Sequence, residues 1–143
     1  MRMHTKRVYI AARYDRFPEM RNVQTRLRNA GISCHCTWLN GQHAWEPTAN
    51  KDEVPAEAVE FAHEDLRDLH AADTLIAFTD RPEKPKSRGG RHVEFGIALA
   101  MQKRIIVVGP RENIFYCLPQ VEQFSHFDGV IHHLKQVPFH VEP

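Results

Sequence analysis

The chain has 143 residues, with 19 basic and 18 acidic side chains and a formal net charge of +1. This length suits a single domain, residues 1–143, with one hydrophobic core, and no low-complexity linker divides it. The balanced charge does not favour a nucleic acid polymer or a membrane as partner, so a small molecule is the expected ligand.

Because the sequence shows no targeting signal and has an odd number of cysteines, we expect a cytoplasmic location. No apolar run approaches the roughly 20 residues that span a bilayer, and residues 1–7 lack the apolar segment of a secretory signal. The three cysteines (Cys34, Cys36 and Cys117) are an odd number, and the closest pair is poorly spaced for a disulfide. We therefore expect reduced thiols.

Strand and helix signals alternate through the first half of the chain. Residues 6–12 are rich in β-branched and aromatic side chains and predict a central strand, followed by a polar loop over 13–16. Apolar residues at helical spacing predict a helix over 18–30 and looser alternation a strand over 32–39. Two prolines and a glycine predict a long loop over 41–55.

The next helix, over 55–72, is amphipathic. Val59, Ala62, Leu66 and Leu69 form the stripe that we expect to face the core, and Asp65 lies at its edge. Asp73 follows the helix, where we expect a structural role in binding backbone N–H groups.

The second half continues the alternation with weaker signals towards the end. Further elements are predicted as a strand over 74–79, a polar loop over 80–88, a helix over 91–102, a strand over 104–109, a short helix within 115–124 and an edge strand over 129–131. Such alternation predicts an α/β, flavodoxin-like (Rossmann-like) three-layer sandwich with a mostly parallel sheet of about five strands. In the strand order 2-1-3-4-5, strands one and three are neighbours at the switch point where ligands bind.

A glycine turn followed by a helix brings an acidic residue to that point. Gly89 and Gly90 let the backbone approach a ligand, and Glu94 follows near the start of the helix, where the dipole is expected to keep its carboxylate ionised. With Asp65 it forms a carboxylate pair of the kind that breaks glycosidic bonds, in which one group attacks and the other handles a proton. Position alone favours a plainer role for Asp65, as an exposed carboxylate paired with Arg67 or Arg91.

Residues 62–66, Leu69, residues 72–73 and residues 89–98 together resemble the nucleoside 2-deoxyribosyltransferase family, including its 2'-deoxynucleoside 5'-phosphate N-hydrolase branch. The resemblance implies that Glu94 is the nucleophile of a glycosyl-enzyme intermediate and that Asp65 assists it. It also implies a homodimer or larger homo-oligomer whose subunits complete each other's sites. No metal or organic cofactor is implied.

Two departures from the family pattern leave the substrate open. Arg88 stands where many transferases have an aspartate, and Ala11 and Ala12 stand where the nucleotide hydrolases have phosphate-binding serines. Transfer or hydrolysis, and nucleoside or 5'-monophosphate, both remain possible. Arginines suit a phosphate, and the residues expected to hold base or phosphate are Arg13, Tyr14, Trp45, Arg88, Arg91 and Asn113.

Two other functions match parts of the sequence. A nucleotide-binding sensor of similar fold would use Gly89 and Gly90 to cradle phosphate without turnover. His92 and Glu94 match half of a zinc deaminase motif, but the Pro-Cys-x-x-Cys that must follow is missing. The sequence therefore favours an enzyme acting on a glycosidic bond.

Overall fold

A five-stranded parallel sheet forms the centre of the molecule. The structure is a computed structural model that describes residues 1–45, 53–81 and 89–141. Its strands are β1 (Arg2–Met3), β2 (Arg7–Ala11), β3 (Ser33–Cys34), β4 (Thr74–Phe78), β5 (Arg104–Val108), β6 (Val121–Phe124) and β7 (Phe139–His140). Its α-helices are α1 (Phe17–Asn29), α2 (Ala56–Ala71), α3 (Gly90–Ala100) and α4 (Val130–Gln136).

The order of the sheet confirms the predicted topology. Its strands follow one another as β3-β2-β4-β5-β6, which is 2-1-3-4-5 when only the strands of this sheet are counted. The first and third of them, β2 and β4, are parallel neighbours, with Ile10 opposite Ile76. The separate pair β1 and β7 is antiparallel and joins the two ends of the chain.

Helices cover both faces of the sheet and make three layers. β4 and β5 are buried along their whole length, which explains their uninterrupted apolar sequences. On one side α2 and α3 contact each other. On the other, Arg26 of α1 lies over the ring of Phe127, just before α4, at 4.8 Å. Among the described residues no helix is long and apolar enough to cross a membrane.

One end of the central strands is fixed by hydrogen bonds, and the other requires a glycine. The carboxylate of Asp73 accepts hydrogen bonds from the backbone N–H groups of Lys6 and Arg7 at 2.9 and 3.2 Å, which confirms its structural role. At the opposite end, Gly109 has a φ of +119°, and a Cβ there would lie 2.4 Å from the hydroxyl of Thr79. Only glycine fits at this position.

The predicted second strand is wrong over most of its length. Pairing with β2 stops after Cys34, and Thr37–Asn40 form a 3-10 helix. The cause is a distant residue: the carboxylate of Asp68 accepts hydrogen bonds from the backbone N–H and the hydroxyl of Thr37, both at 2.7 Å. Trp38 then turns inwards and donates its indole N–H to the carbonyl of Ile10 at 3.0 Å.

The predictions for the C-terminal elements are partly wrong. The short helix forms as a 3-10 helix over Ile114–Cys117, but strand β6 follows it, and helix α4 stands where an edge strand was expected. Strand β6 is fixed by its pairing with β5 and by Glu122, which binds the buried Arg104. Helix α4 buries Val130 and Leu134, four residues apart, as a helix requires.

Helix α2 forms where expected but turns a different side to the protein. The predicted inner residues Val59 and Leu66 are 42% and 46% exposed. Asp68 and Leu69 are buried, and the side that faces the protein includes Ala58, Phe61 and Asp65. Leu69 also belongs to the predicted stripe, so the inner side is displaced from that stripe by less than the roughly 100° between successive residues. The displacement brings Asp65 inwards and leaves apolar side chains outside.

Candidate active site

A cleft of about 530 Å³ opens where β2 ends, between α2 and the start of α3. This is the predicted location, because β2 and β4 meet at the switch point of the sheet. Its aromatic lining residues are Tyr14, Trp38, Trp45 and Phe61, and its ionisable ones include Arg13, Asp15, His43, Asp65, Arg91 and Glu94. The cleft therefore combines flat apolar surfaces with a few polar groups, as small-molecule sites do.

Glu94 is held in the cleft by a tyrosine from the sheet. Tyr9 on β2 is fully buried, and its hydroxyl donates a hydrogen bond to Oε2 of Glu94. Among the residues that the structure describes, the other carboxylate oxygen has no hydrogen-bond partner, so it can contact a ligand in the cleft. Tyr9 thus fixes the orientation of the group predicted to be the nucleophile.

The sequence leads us to expect an ionised carboxylate at Glu94, but the structure raises the pKa of this group. Burial raises its pKa from 4.5 to about 8, while the hydrogen bond from Tyr9 and the charge of Arg91 act in the opposite direction. The negative charge of Asp65 raises the pKa further. The helix dipole is too weak to compensate, because α3 begins at Gly90 and Glu94 lies beyond its first turn.

Asp65 is the second carboxyl group in the cleft, on the inner side of α2. Burial raises its pKa to about 6, the positive charge of His43 lowers it, and the charges of Asp68 and Glu64 raise it. The predicted pairing of Asp65 with Arg67 or Arg91 is not among its ion pairs in the described residues; its neighbour is His43, at 3.4 Å. Two carboxyl groups with raised pKa values thus share one cleft, a common feature of acid–base sites.

Most of the predicted binding residues reach the cleft. Arg13, Tyr14, Gly90 and Arg91 line it. Gly89 lies directly before Gly90 and adopts a φ of +87°, which starts the helix. A Cβ on Gly90 would meet no atom within 4 Å, so its lack of a side chain leaves room in the cleft.

The remaining predicted contacts are elsewhere or lie outside the described residues. Asn113 does not line the cleft; its side chain accepts a hydrogen bond from the N–H of Phe115 and caps a 3-10 helix. Arg88, most of the loop over 80–88 and the middle of the loop over 41–55 are outside the described residues. Trp45 is described and lines the cleft, with 39% of its surface exposed.

Asp80 balances the arginines around the cleft. Its carboxylate lies 3.0 Å from Nε of Arg13 and 3.3 Å from both Nη1 of Arg16 and Nη1 of Arg91. Arg91 also pairs with Glu112 and is 1% exposed, so its charge is already matched inside the protein. Arg13 is more accessible, at 17%, and is the better candidate to meet a charged ligand.

Sequence reasoning missed Tyr9 and His43. Tyr9 belongs to a strand that is buried on both faces, so its sequence does not show which side chain ends at the cleft. His43 lies in a loop, and its contacts come from Phe61, Glu64 and Asp65 on α2. No local pattern signals either residue. In the described residues no group of three or more His, Cys, Asp or Glu side chains is arranged to hold a metal ion.

The fold and the cleft define a flavodoxin-like α/β domain with its ligand site at the switch point. The chain is similar to the solved structure of a 2-deoxyribosyltransferase from the psychrotolerant bacterium Bacillus psychrosaccharolyticus, with a TM-score of 0.63 and 14% identity over 87% of this chain and 90% of that one. It is also similar to a conserved protein from Enterococcus faecalis V583, with a TM-score of 0.62 and 14% identity over 92% and 98% of the two chains.

No protein-family model matches the chain, and no curated protein matches it. At 14% identity the two structural likenesses establish the fold. The chemistry has to be argued from the residues of the cleft.

Proposed function

We propose that this chain is an enzyme that cleaves or transfers the N-glycosidic bond of a nucleoside or nucleotide, preferably a 2'-deoxy one. The observation that carries the proposal is the pair of carboxyl groups with raised pKa values, Glu94 and Asp65, in one cleft lined by aromatic rings. Retaining enzymes that break glycosidic bonds use such a pair, one as nucleophile and one as acid and base. The structural likeness to a 2-deoxyribosyltransferase agrees with this chemistry.

In the proposed reaction Glu94 attacks C1' of the sugar. Its carboxylate oxygen forms a bond to C1' as the bond from C1' to the base nitrogen breaks, and the electron pair of that bond goes to the base. The reacting form has Glu94 ionised and Asp65 protonated, the reverse of the form that pKa values of about 8 and about 6 favour at neutral pH. In the reacting form Asp65 gives its proton to the departing base and later takes one from the water or acceptor base that releases the sugar from Glu94. Tyr9 orients the nucleophile, and Gly89 and Gly90 leave space for the sugar.

The aromatic residues are suited to the base. Trp45 and Phe61 line the cleft together with Tyr14, and flat rings of this kind stack on nucleobases. Arg13 is the proposed contact for a 5'-phosphate when the substrate carries one. Arg91 supports the site from within, through Asp80 and Glu112.

We also propose that the active form is a homodimer or larger homo-oligomer. The supporting observation is the apolar stripe that α2 leaves outside, with Val59 at 42% and Leu66 at 46% exposure and Ala62, between them, lining the cleft. A second subunit on this stripe would cover apolar surface and complete the cleft wall. Replacement of Leu66 by Glu should reduce the mass measured by light scattering to that of the monomer, whereas Val137→Glu, on an exposed residue outside α2, should leave it unchanged.

A substrate panel tests the activity. Purified protein is incubated with deoxynucleosides and their 5'-monophosphates, with and without an acceptor base, and base release or exchange is followed by chromatography. The wild type should turn over at least one substrate, and Glu94→Ala should lose at least about a thousandfold in kcat, as expected for loss of a covalent nucleophile. Glu60→Ala, which removes an exposed glutamate on α2, is the matched control.

Acid quenching during turnover should trap a protein with the added mass of the sugar on the peptide that contains Glu94. Unchanged turnover in Glu94→Ala would exclude Glu94 as the nucleophile. Binding without base release or exchange across the whole panel would instead support a nucleotide sensor.

A further inference from the structure

His43 occupies a fixed position in the cleft wall. Its side chain is 5% exposed, and its ring stacks on Phe61 with centroids 4.4 Å apart and an interplanar angle of 22°. The ring thus presents its nitrogens to two successive residues of α2. Nε2 lies 2.7 Å from Oε2 of Glu64, and Nδ1 lies 3.4 Å from Oδ1 of Asp65.

The contact with Glu64 determines where the ring carries hydrogen. An ionised carboxylate can only accept a hydrogen bond, so the short contact requires a hydrogen on Nε2. The other ring nitrogen, Nδ1, faces Asp65. A histidine held by a carboxylate at one nitrogen and active at the other is a common arrangement for handling protons.

The atoms that face each other, Nδ1 of His43 and Oδ1 of Asp65, are both buried. Neither has a hydrogen-bond partner among the described residues. Buried polar atoms are rarely left in this state, because each loses its bonds to water. One proton between them satisfies both atoms when the 3.4 Å gap closes by about half an ångström to ordinary hydrogen-bond length.

We propose that His43 is a positioning residue for the reaction, which, anchored by Glu64, shares a proton with Asp65 and restores the proton that Asp65 gives to the departing base. The inference rests on the proposed function. In the reacting form Oδ2 of Asp65 carries one proton, and Nδ1 of His43 carries a second, which it shares with Oδ1. As the bond from C1' to the base breaks, the proton on Oδ2 goes to the base and the shared proton moves to Oδ1. When water or an acceptor base attacks C1', its proton passes to Asp65 and on to Nδ1, and the electron pair of the glycosyl bond returns to Glu94.

The charges around this pair predict how its loss affects acidity. The ionisable groups that act on Asp65 are His43, Glu64 and Asp68, and on its other side Asp65 acts on Tyr9 and Glu94. Of these groups, His43 is the one that lowers the pKa of Asp65. Its removal leaves Asp65 among negative charges, so the pKa of Asp65 rises above about 6.

The test compares His43→Gln with His63→Gln, an exposed histidine on α2, in the full chain. The substrate is the best one of the panel, and kcat and KM are measured from pH 5 to 9. His43→Gln should lower kcat about 10- to 100-fold, change KM less than about threefold, and raise the lower apparent pKa of the profile by about one unit. Imidazole added to His43→Ala should restore part of kcat.

A second measurement does not depend on activity. The side-chain carboxyl carbon of Asp65 is titrated by NMR in the wild type, His43→Gln and His63→Gln, and the inference requires a higher pKa in His43→Gln alone. If His43→Gln fails to fold, Glu64→Gln replaces it. Because the Nε2 contact is then weakened, we expect a roughly 3- to 10-fold lower kcat and a shift of the Asp65 titration.

The outcomes separate the two proposals. If the wild type is active and His43→Gln has the same kcat and pH profile as the wild type, the role of His43 is overturned and the proposed function stands. A wild type that is inactive on the whole panel would overturn the proposed function. In that case an unchanged Asp65 titration in His43→Gln would also exclude the shared proton, whereas a shifted titration would support it.

Discussion

Replacement of Tyr9 by Phe tests the electrostatic account of the cleft. The change removes the hydroxyl that donates to Glu94 and keeps the ring that fills the core. A hydrogen bond to a charged group is worth about 1.5 to 3 kcal/mol. Its loss should therefore raise the pKa of Glu94 from about 8 by roughly 1 to 2 units.

The magnitude follows from the ionised fraction. With a pKa of about 8, about a tenth of Glu94 is ionised at pH 7 in the wild type, and roughly 10- to 100-fold less is ionised in Tyr9→Phe. Since the ionised group is the nucleophile, kcat/KM at pH 7 should fall by the same factor. Above pH 9 the difference should narrow as Glu94 becomes ionised in the variant.

The assay is base release measured from pH 5 to 10. Tyr116→Phe is the matched control, because Tyr116 is also buried but its hydroxyl faces His92, at 3.3 Å. The control should follow the wild-type profile. Equal profiles for Tyr9→Phe and the wild type, or a loss of the same size at every pH, would refute the reasoning that Tyr9 acts through the ionisation of Glu94.

Three further predictions concern stability and substrate charge. Folding raises the pKa of Glu94 from 4.5 to about 8, so its contribution to stability is complete below pH 4.5 and is lost as the pH rises through 8. At pH 9 the free energy of unfolding of Glu94→Gln, obtained from thermal melts, should therefore exceed that of the wild type by about 2 to 4 kcal/mol. An equal gain at pH 5 would contradict this prediction. Arg13→Gln should raise KM for a 5'-monophosphate about tenfold and KM for the nucleoside less than twofold. Arg111→Gln, which changes an exposed residue outside the cleft, should change neither value. Equal effects of Arg13→Gln on both substrates would contradict a contact between Arg13 and the phosphate. Gly109→Ala should lower the free energy of unfolding by more than about 2 kcal/mol, because its Cβ would lie 2.4 Å from Thr79 Oγ1, and a smaller change would show that the two strand ends can separate.

The elements predicted well are those whose signals are local. The apolar runs of β4 and β5 mark buried strands, and the spacing of Met20, Val23 and Leu27 marks α1. The topology then follows from alternation and handedness. The sequence identifies Glu94 because it follows two glycines at the expected helix start. It does not predict the raised pKa of Glu94, since burial outweighs the helix dipole.

The elements predicted badly depend on residues far along the chain. Thr37 leaves the sheet because of Asp68, and β6 is secured by the pairing of Glu122 with Arg104. The predicted orientation of α2 is wrong because the polar residues Asp65 and Asp68 face inwards. The hydrophobic pattern predicts Val59 and Leu66 on that side, but both are exposed. A hydrophobic pattern cannot reveal a polar interior that serves a site.

Asp80 is the shared anion of three arginines beside the cleft. Its carboxylate contacts Arg13 and Arg16, on the segment that follows β2, and Arg91, near the start of α3. Loss of its charge alone would leave each arginine with one carboxylate partner: Asp15 for Arg13, Glu19 for Arg16 and Glu112 for Arg91. A single base change in the gene, from an aspartate to an asparagine codon, would therefore make the surroundings of the cleft one charge more positive while every arginine keeps a partner, a change that favours an anionic ligand.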